Sequence, residues 1–474
     1  MAIHFSKEQV INRMKFENPW WKSAQIDHYY KKMKRREYFK LLYPLIIEKE
    51  VKRSVVLMGP RRVGKTVLLF HSIDQLLTEN IDPNKLCYFS IETPLYNGIA
   101  LEELLNLYLE TNDLKPTDEI FVFFDEIQYL KDWELHLKSL VDSYHNIKFI
   151  VSGSAAAALK LKSQESGAGR FTEFELPPLT FHEFLSLTDK NDLVEEDSDN
   201  MFSFFTKNIE QLNELFIDYI NFGGYPELSL SKVIQSDPGR YIRNDIIDKV
   251  LMRDLPSLYG ISDIQELNSL FTFIAYNSGN EMSLDEISKS SGVAKNTIKR
   301  YLTYLEAAFL IKIIHRIDQN GKKFKRANFF KIYLTNPSLR SALFSPIESN
   351  DQFIGNMVET AIYSQWQHNQ SQDLFYARWK SGEVDIVSLG DKLKPQWCIE
   401  VKWSDRYVDH LSELKNLVSF CDKHDLEDVR VTTISISDVK TVNGISYSFM
   451  PASLYAYTVG RNIVHGKHYR QHSV

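Results

Sequence analysis

Cysteine is scarce in this 474-residue chain. Cys87, Cys398 and Cys421 are odd in number, far apart and never in C-x-x-C spacing, so neither a disulfide framework nor a zinc finger is encoded. No run of eighteen apolar residues occurs, and the opening MAIHFSKEQVINRMKF lacks the basic start and apolar stretch of a secretory signal. These absences predict a cytoplasmic protein with no membrane partner. An excess of charge of one sign is missing too. The net charge of -6 rules out a bulk polycation, so any nucleic-acid contact has to come from local basic patches. Disorder is excluded by an aromatic share of 13%, and the length predicts roughly two to four domains.

The stretch GPRRVGKT, Gly59 to Thr66, has the spacing G-x-x-x-x-G-K-T. Such a loop lets backbone N–H groups curl around phosphate oxygens while a lysine and a hydroxyl complete the site. The apolar SVVLM before it reads as a buried strand, and VLLFHSIDQLL after it has helical spacing. Gly59, Pro60, Arg61, Arg62, Val63, Gly64, Lys65, Thr66 and Val67 are therefore the expected ATP-binding residues. Three more strands are predicted in LCYFSIE, IFVFFDE and IKFIVSGS, and strands alternating with helices imply a parallel sheet covered on both faces. IFVFFDE delivers Asp125 and Glu126 to a strand end, where Asp125 and Thr66 would hold Mg2+ and Glu126 would polarise the attacking water. Ser152 and Ser154 in VSGS would touch the γ-phosphate or simply pack. Arg170, in GAGRF, is either an arginine finger for a neighbouring subunit or a surface charge.

The first fifty residues read as helical and carry the basic run YYKKMKRREYFK, with Lys31, Lys32, Lys34, Arg35, Arg36 and Lys40. Its alternatives are a solvated helix face and a patch for nucleic acid or an acidic partner. Trp20, Trp21, Tyr29 and Tyr30 are expected to pack rather than to stack on bases. The acidic EEDSDN (195–200) reads as a solvated linker, and a mostly helical segment follows, broken by the turn in NFGGYPEL. Residues 282–314 have helix-turn-helix spacing, and the Asn-Gly of DQNGKKFKRANFFKIYL predicts a wing. Lys295, Lys299, Arg300, Lys322, Lys323, Lys325 and Arg326 would meet DNA phosphates there, or the element is a structural lid.

In the last third, SGEVDIVSLG and PQWCIEVKWSD alternate as half-buried strands, so Asp385, Glu400 and Lys402 share one face. Two carboxylates and a lysine suit metal-assisted phosphodiester cleavage, with Glu359 on the preceding helix completing the Mg2+ shell. The C-terminal HGKHYRQH is expected to be a tail rather than a metal site.

GPRRVGKT, FFDEIQYL, VSGSAAA, GRFTEFELPPLTFHEF and NFGGYPEL together resemble the bacterial and archaeal AAA-type ATPases whose C-terminal part is related to restriction nucleases. Asp385, Glu400 and Lys402 match the core positions of the PD-(D/E)XK nuclease fold, and Glu359 its helix position. The resemblance implies an α/β fold: an AAA-like P-loop parallel sheet, then a helical lid, a winged helix-turn-helix and a restriction-endonuclease-like α/β domain. The expected boundaries are an N-terminal helical segment over 1–50, the ATPase core over 51–190, the lid over 191–265, the winged helix over 266–335 and the nuclease-like domain over 345–474. ATP hydrolysis would drive or gate a DNA-directed domain. The alternative is a nucleotide-dependent switch for a protein partner, with homo-oligomers open to either.

A hydrogen bond to a charged group contributes about 1.5–3 kcal/mol, so Lys65→Ala is expected to weaken nucleotide binding by roughly one to two decades. Turnover falls further, because charge redistributes in the transition state. Fluorescent-nucleotide titration beside phosphate release checks this, and unchanged hydrolysis would remove Lys65 from the site.

Overall fold

The four apolar runs form the strands that their composition predicts: β1 (Ser54–Met58), β2 (Leu86–Ser90), β3 (Ile120–Asp125) and β4 (Ile147–Gly153). A fifth, β5 (Phe171–Glu175), joins them in a parallel sheet of order β2-β3-β4-β1-β5. Its FTEFE is only partly buried, which is why apolar periodicity does not reveal it. The computed structural model describes residues 6–154, 169–198, 203–323, 329–369, 373–390 and 393–465. The chain forms two compact units, Met1–Pro177 and Pro178–Val474.

In the first unit β2 is an edge, and an edge strand leaves backbone groups in need of partners. Asn18, just after the helix Lys7–Glu17, meets that need. Its Oδ1 accepts the Tyr88 N–H at 2.7 Å and its Nδ2 donates to the Tyr88 carbonyl at 2.9 Å. The indoles of Trp20 and Trp21 both donate to the Leu86 carbonyl, at 3.0 and 2.8 Å. Tyr30 stacks on Phe70 with ring centroids 3.9 Å apart. Trp20, Trp21 and Tyr30 thus pack as expected, while Tyr29 is exposed.

The two compact units divide after Pro177, ahead of the acidic stretch that the sequence reads as a linker. The helix Phe181–Leu187, held by a Thr180/Glu183 capping box, buries Phe181 and Phe184 in the core of the second unit. Part of the acidic stretch is itself a strand: β6 (Val194–Glu196) pairs with β7 (Phe204–Thr206). Asn200 lies outside the described residues.

The rest of the second unit centres on one nine-stranded sheet. Its strands are β8 (Glu281–Ser283), β9 (Ile311–Ile317), β10 (Phe329–Leu334), β11 (Leu374–Trp379), β12 (Gly382–Leu389), β13 (Pro395–Glu400), β14 (Asp428–Thr433), β15 (Asp438–Val442) and β16 (Ile445–Pro451). Their order is β15-β16-β14-β13-β12-β11-β9-β10-β8. The helices Leu284–Ser291 and Lys295–Ala307 flank Gly292, whose φ of 74° permits the tight turn between them. Asn320-Gly321 turns the chain after β9. Lys325, Arg326, His468 and His472 lie outside the described residues. Strands from 266–335 and 345–474, expected to be separate domains, share this sheet, with Ala377 of β11 beside Ile317 of β9. Among the described residues no helix is long and apolar enough to cross a membrane.

NFGGYPEL does more than turn. Asn221 is buried, its Oδ1 accepting from Ser341 Oγ (3.0 Å) and the Ile347 N–H (2.9 Å) while its Nδ2 donates to the Ile347 carbonyl (2.9 Å). A Cβ on Gly224 would stand 2.5 Å from the Asn336 amide, so only glycine fits. Asn221→Ala strands two backbone groups and is expected to cost roughly 2–4 kcal/mol, read as a lowered urea midpoint. An unchanged midpoint would mean that this bracket is dispensable.

Candidate functional site

The loop between β1 and the helix Lys65–Thr78 is shaped by two glycines. Gly64 has φ of 96° at the helix start, and a Cβ on Gly59 would lie 2.2 Å from the Leu176 carbonyl oxygen. Val63 is fully buried and pins the loop from below. Lys65 is buried, its Nζ donating to the carbonyls of Gly59 (3.1 Å) and Pro60 (2.8 Å), so its charge sits inside the loop curl. The helix N-terminus adds backbone N–H groups and the positive end of its dipole.

Behind the loop stands Arg36, which corrects both readings of the basic run at that position. It is 5% exposed and donates to the carbonyls of Val63 (3.0 Å) and Pro177 (2.9 Å). Its neighbours behave differently: Arg35 and Lys31 pair with Asp74 at 3.3 and 3.7 Å near the surface.

β4 lies between β1 and β3, so the end of β4 adjoins both the phosphate loop and Asp125. Asp125 is buried and collects three hydroxyls: Thr66 Oγ1 (2.7 Å) and Tyr88 OH (2.8 Å) on Oδ2, and Ser152 Oγ on Oδ1. Burial, and then the charge of Glu126, push its carboxyl above the usual range, against the pull of those hydroxyls. Glu126 occupies the left-handed region at φ 55°, where non-glycine residues are uncommon and strain gathers at functional sites. Its N–H reaches Ser152 Oγ at 3.2 Å, and its carboxylate accepts from Gln128 Nε2. Gln128 Oε1 in turn accepts the Ser154 N–H at 3.1 Å. Thr66 and Asp125 offer hard oxygens in mutual contact, and Lys65 a fixed positive charge, so the set fits a magnesium–nucleotide.

Arg170 lies elsewhere in the unit. Its carbonyl accepts the Ser54 N–H (2.9 Å) where β1 begins, whereas the phosphate loop follows the end of β1, about 13 Å along the strand. Its guanidinium pairs with Asp142 at 2.9 Å.

In the second unit the predicted trio converges. Lys402 Nζ meets Glu400 at 2.6 Å and Asp385 at 3.5 Å, and Asp385 Oδ2 also accepts the Val401 N–H at 2.9 Å. Burial and then Asp385 push Glu400 up to about 8 against Lys402, while Asp385, despite burial, is held low by Lys402 and Lys331. Glu400 Oε2 is buried and has no hydrogen-bond partner among the described residues. Glu359, in the helix Ile354–Trp366, accepts from Tyr333 OH (2.5 Å) and from Lys331 Nζ (2.8 Å). Lys331 also stands 2.7 Å from Glu383 and 3.6 Å from Asp385. An ammonium thus sits beside Glu359, where its reading as a metal ligand needs a metal. Among the described residues no group of three or more His, Cys, Asp or Glu is placed to hold a metal ion.

Of the basic set expected at DNA, Lys295 pairs with Asp285, Lys299 and Arg300 are exposed, and Lys323 lies over the Phe375 ring at 4.4 Å.

Residues 51–185 match the family described as AAA domain, and residues 213–351 match a domain of unknown function, DUF8612. An uncharacterized protein of Methanocaldococcus jannaschii is 27% identical over 360 residues, covering 74% of this chain and 76% of its own. One of Haemophilus influenzae is 25% identical over 388 residues, with coverage of 79% and 90%. The Aeropyrum pernix ORC1 protein, solved in complex with DNA, aligns over 71% of this chain and 97% of its own at 12% identity and a TM-score of 0.32, too loose a likeness to carry an argument. The AAA match over residues 51–185 and the glycine-loop geometry together support a P-loop ATPase.

Tyr88, Gln128 and Lys331 went unassigned by motif reading, and Arg36 was read only as part of the basic run. A lysine inside the apolar FFKIYL and a glutamine inside FFDEIQYL were the available signals. Arg36→Ala is expected to cost about 1.5–3 kcal/mol, seen as a lower melting midpoint and weaker nucleotide binding. The control Arg35→Ala loses only partly exposed contacts, to Asp74, Gln75 and the Phe39 ring, and should stay within ~1 kcal/mol. Equal effects of the two would contradict a buttress at Arg36.

Proposed function

We propose that the first unit hydrolyses ATP with magnesium and that this turnover drives or gates a nucleic-acid-directed second unit. The observation that carries the first half is the contact of Thr66 Oγ1 with Asp125 at 2.7 Å beneath a glycine-shaped loop. Residues 59–67 would hold the phosphates, and Thr66 and Asp125 the magnesium, which when bound neutralises phosphate charge. Lys65 adds a fixed charge at the β- and γ-phosphates. Glu126 accepts the proton of the attacking water, and its hydrogen bond to Gln128 sets where its carboxylate points. Ser152 keeps Asp125 oriented through its hydroxyl. Since Arg170 stands at the far end of β1, a finger role for it would serve only a neighbouring copy's nucleotide.

The winged-helix reading of 266–335 draws support from the order helix, strand, two helices, two strands, and its DNA contact from exposed Lys299 and Arg300. The nucleolytic form of the proposal assigns Glu359, Asp385 and Glu400 to a metal and Lys402 to the attacking water. It requires metal-dependent cutting that Asp385→Ala abolishes while ATP hydrolysis persists. The second reading is a nucleotide-dependent switch for a protein partner with an inactive nuclease-like domain, and Lys331 among the carboxylates favours it.

ATP turnover with and without single- and double-stranded DNA, beside Lys65→Ala, separates the two. Several-fold stimulation by DNA, steeply reduced by salt and absent in the variant, is the expected outcome. Turnover indifferent to DNA would overturn the coupling and leave the switch.

A further inference from the structure

Five carboxylates and four cations of the second unit form one connected set across its sheet. Glu281 accepts from Tyr376 OH (2.8 Å) and faces Arg316 (3.5 Å) and Arg378 (3.3 Å). Arg378 also meets Glu383 at 3.2 Å. Lys331 joins Glu383, Glu359 and Asp385, and Lys402 joins Asp385 to Glu400. Fully ionised, the set carries a net charge of only -1. A divalent ion needs several uncompensated carboxylate oxygens, and here Asp385 has an ammonium within 3.6 Å on each oxygen.

Lys331 is the residue that closes this account. It comes from β10, outside the E-x-K set, and its side chain is 4% exposed. A buried lysine is tolerated only with close, hydrogen-bonded partners, and two of its three, Glu359 and Asp385, are carboxylates that a metal would take. Tyr333, two residues on and on the same strand face, donates to the same Glu359. Strand and helix are thus tied through the place where the metal would be.

We propose that Lys331 stands in for the divalent cation, making the cluster a metal-free ionic joint between β10, β12 and the Glu359 helix that binds neither Mg2+ nor Mn2+. The inference concerns this chain's second unit alone, replaces the nucleolytic form with the inactive nuclease-like domain of the second reading, and holds whether or not the first unit hydrolyses ATP.

The test is titration of nucleotide-free, full-length protein with Mn2+ alone, free ion being read by electron paramagnetic resonance. Wild type and Asp385→Asn should give the same isotherm up to millimolar Mn2+. Lys331→Met, checked for folding by circular dichroism, should gain a site about ten-fold tighter than any in wild type, which adding Asp385→Asn removes. A wild-type site that Asp385→Asn abolishes would overturn the proposal, and this comparison stands even where Lys331→Met fails to fold. A folded Lys331→Met with no new site would overturn it as well.

Discussion

Asp125 is the constraint around which the first unit is arranged. Its carboxylate ends a strand of large apolar residues, has almost no solvent, and must be satisfied by side chains that the sheet brings within reach. Tyr88 comes from one neighbouring strand, Ser152 from the other, and Thr66 from the helix that follows the glycine loop. The sheet order, the curl of the loop and the placement of the helix therefore meet at a single buried charge. The Asn18 clasp on Tyr88 belongs to the same chain of cause, because it holds the edge strand that supplies the phenol.

The second unit solves a related problem with opposite means. Its buried carboxylates are met chiefly by ammonium and guanidinium groups, with the Tyr333 and Tyr376 hydroxyls beside them. Hydroxyl partners leave an anion's charge in place, available to a cation. Lysine partners cancel it. Two sites with similar acidic composition thus differ in what they can recruit, and the difference lies in which neighbours fold against them.

Glu126 is held in a left-handed backbone conformation, and its side chain is tied to Gln128, which in turn receives the Ser154 N–H at the end of β4. The position of the Glu126 carboxylate is thereby coupled to the end of β4. The rigid apolar strands behind it keep that coupling short-ranged.

Local chemistry made much of this legible from sequence. Four strands of the first sheet, the glycine loop and the Asp-Glu strand end follow from apolar runs and fixed spacing, since a strand and a P-loop are contiguous in the chain. The period-2 alternation put Asp385, Glu400 and Lys402 on one face, and they do meet. Contacts between distant segments were not legible. Arg36 looked like one more surface cation until the fold buried it under Val63, β5 was too polar to stand out, and the continuity of the nine-stranded sheet erased the predicted break near 335–345. Lys331 shows the reason most plainly. The sequence by itself determined that a lysine interrupts an apolar strand and therefore has to find anions, but only the tertiary structure decided that those anions are Glu359, Glu383 and Asp385, because a buried charge is satisfied through space, not along the chain.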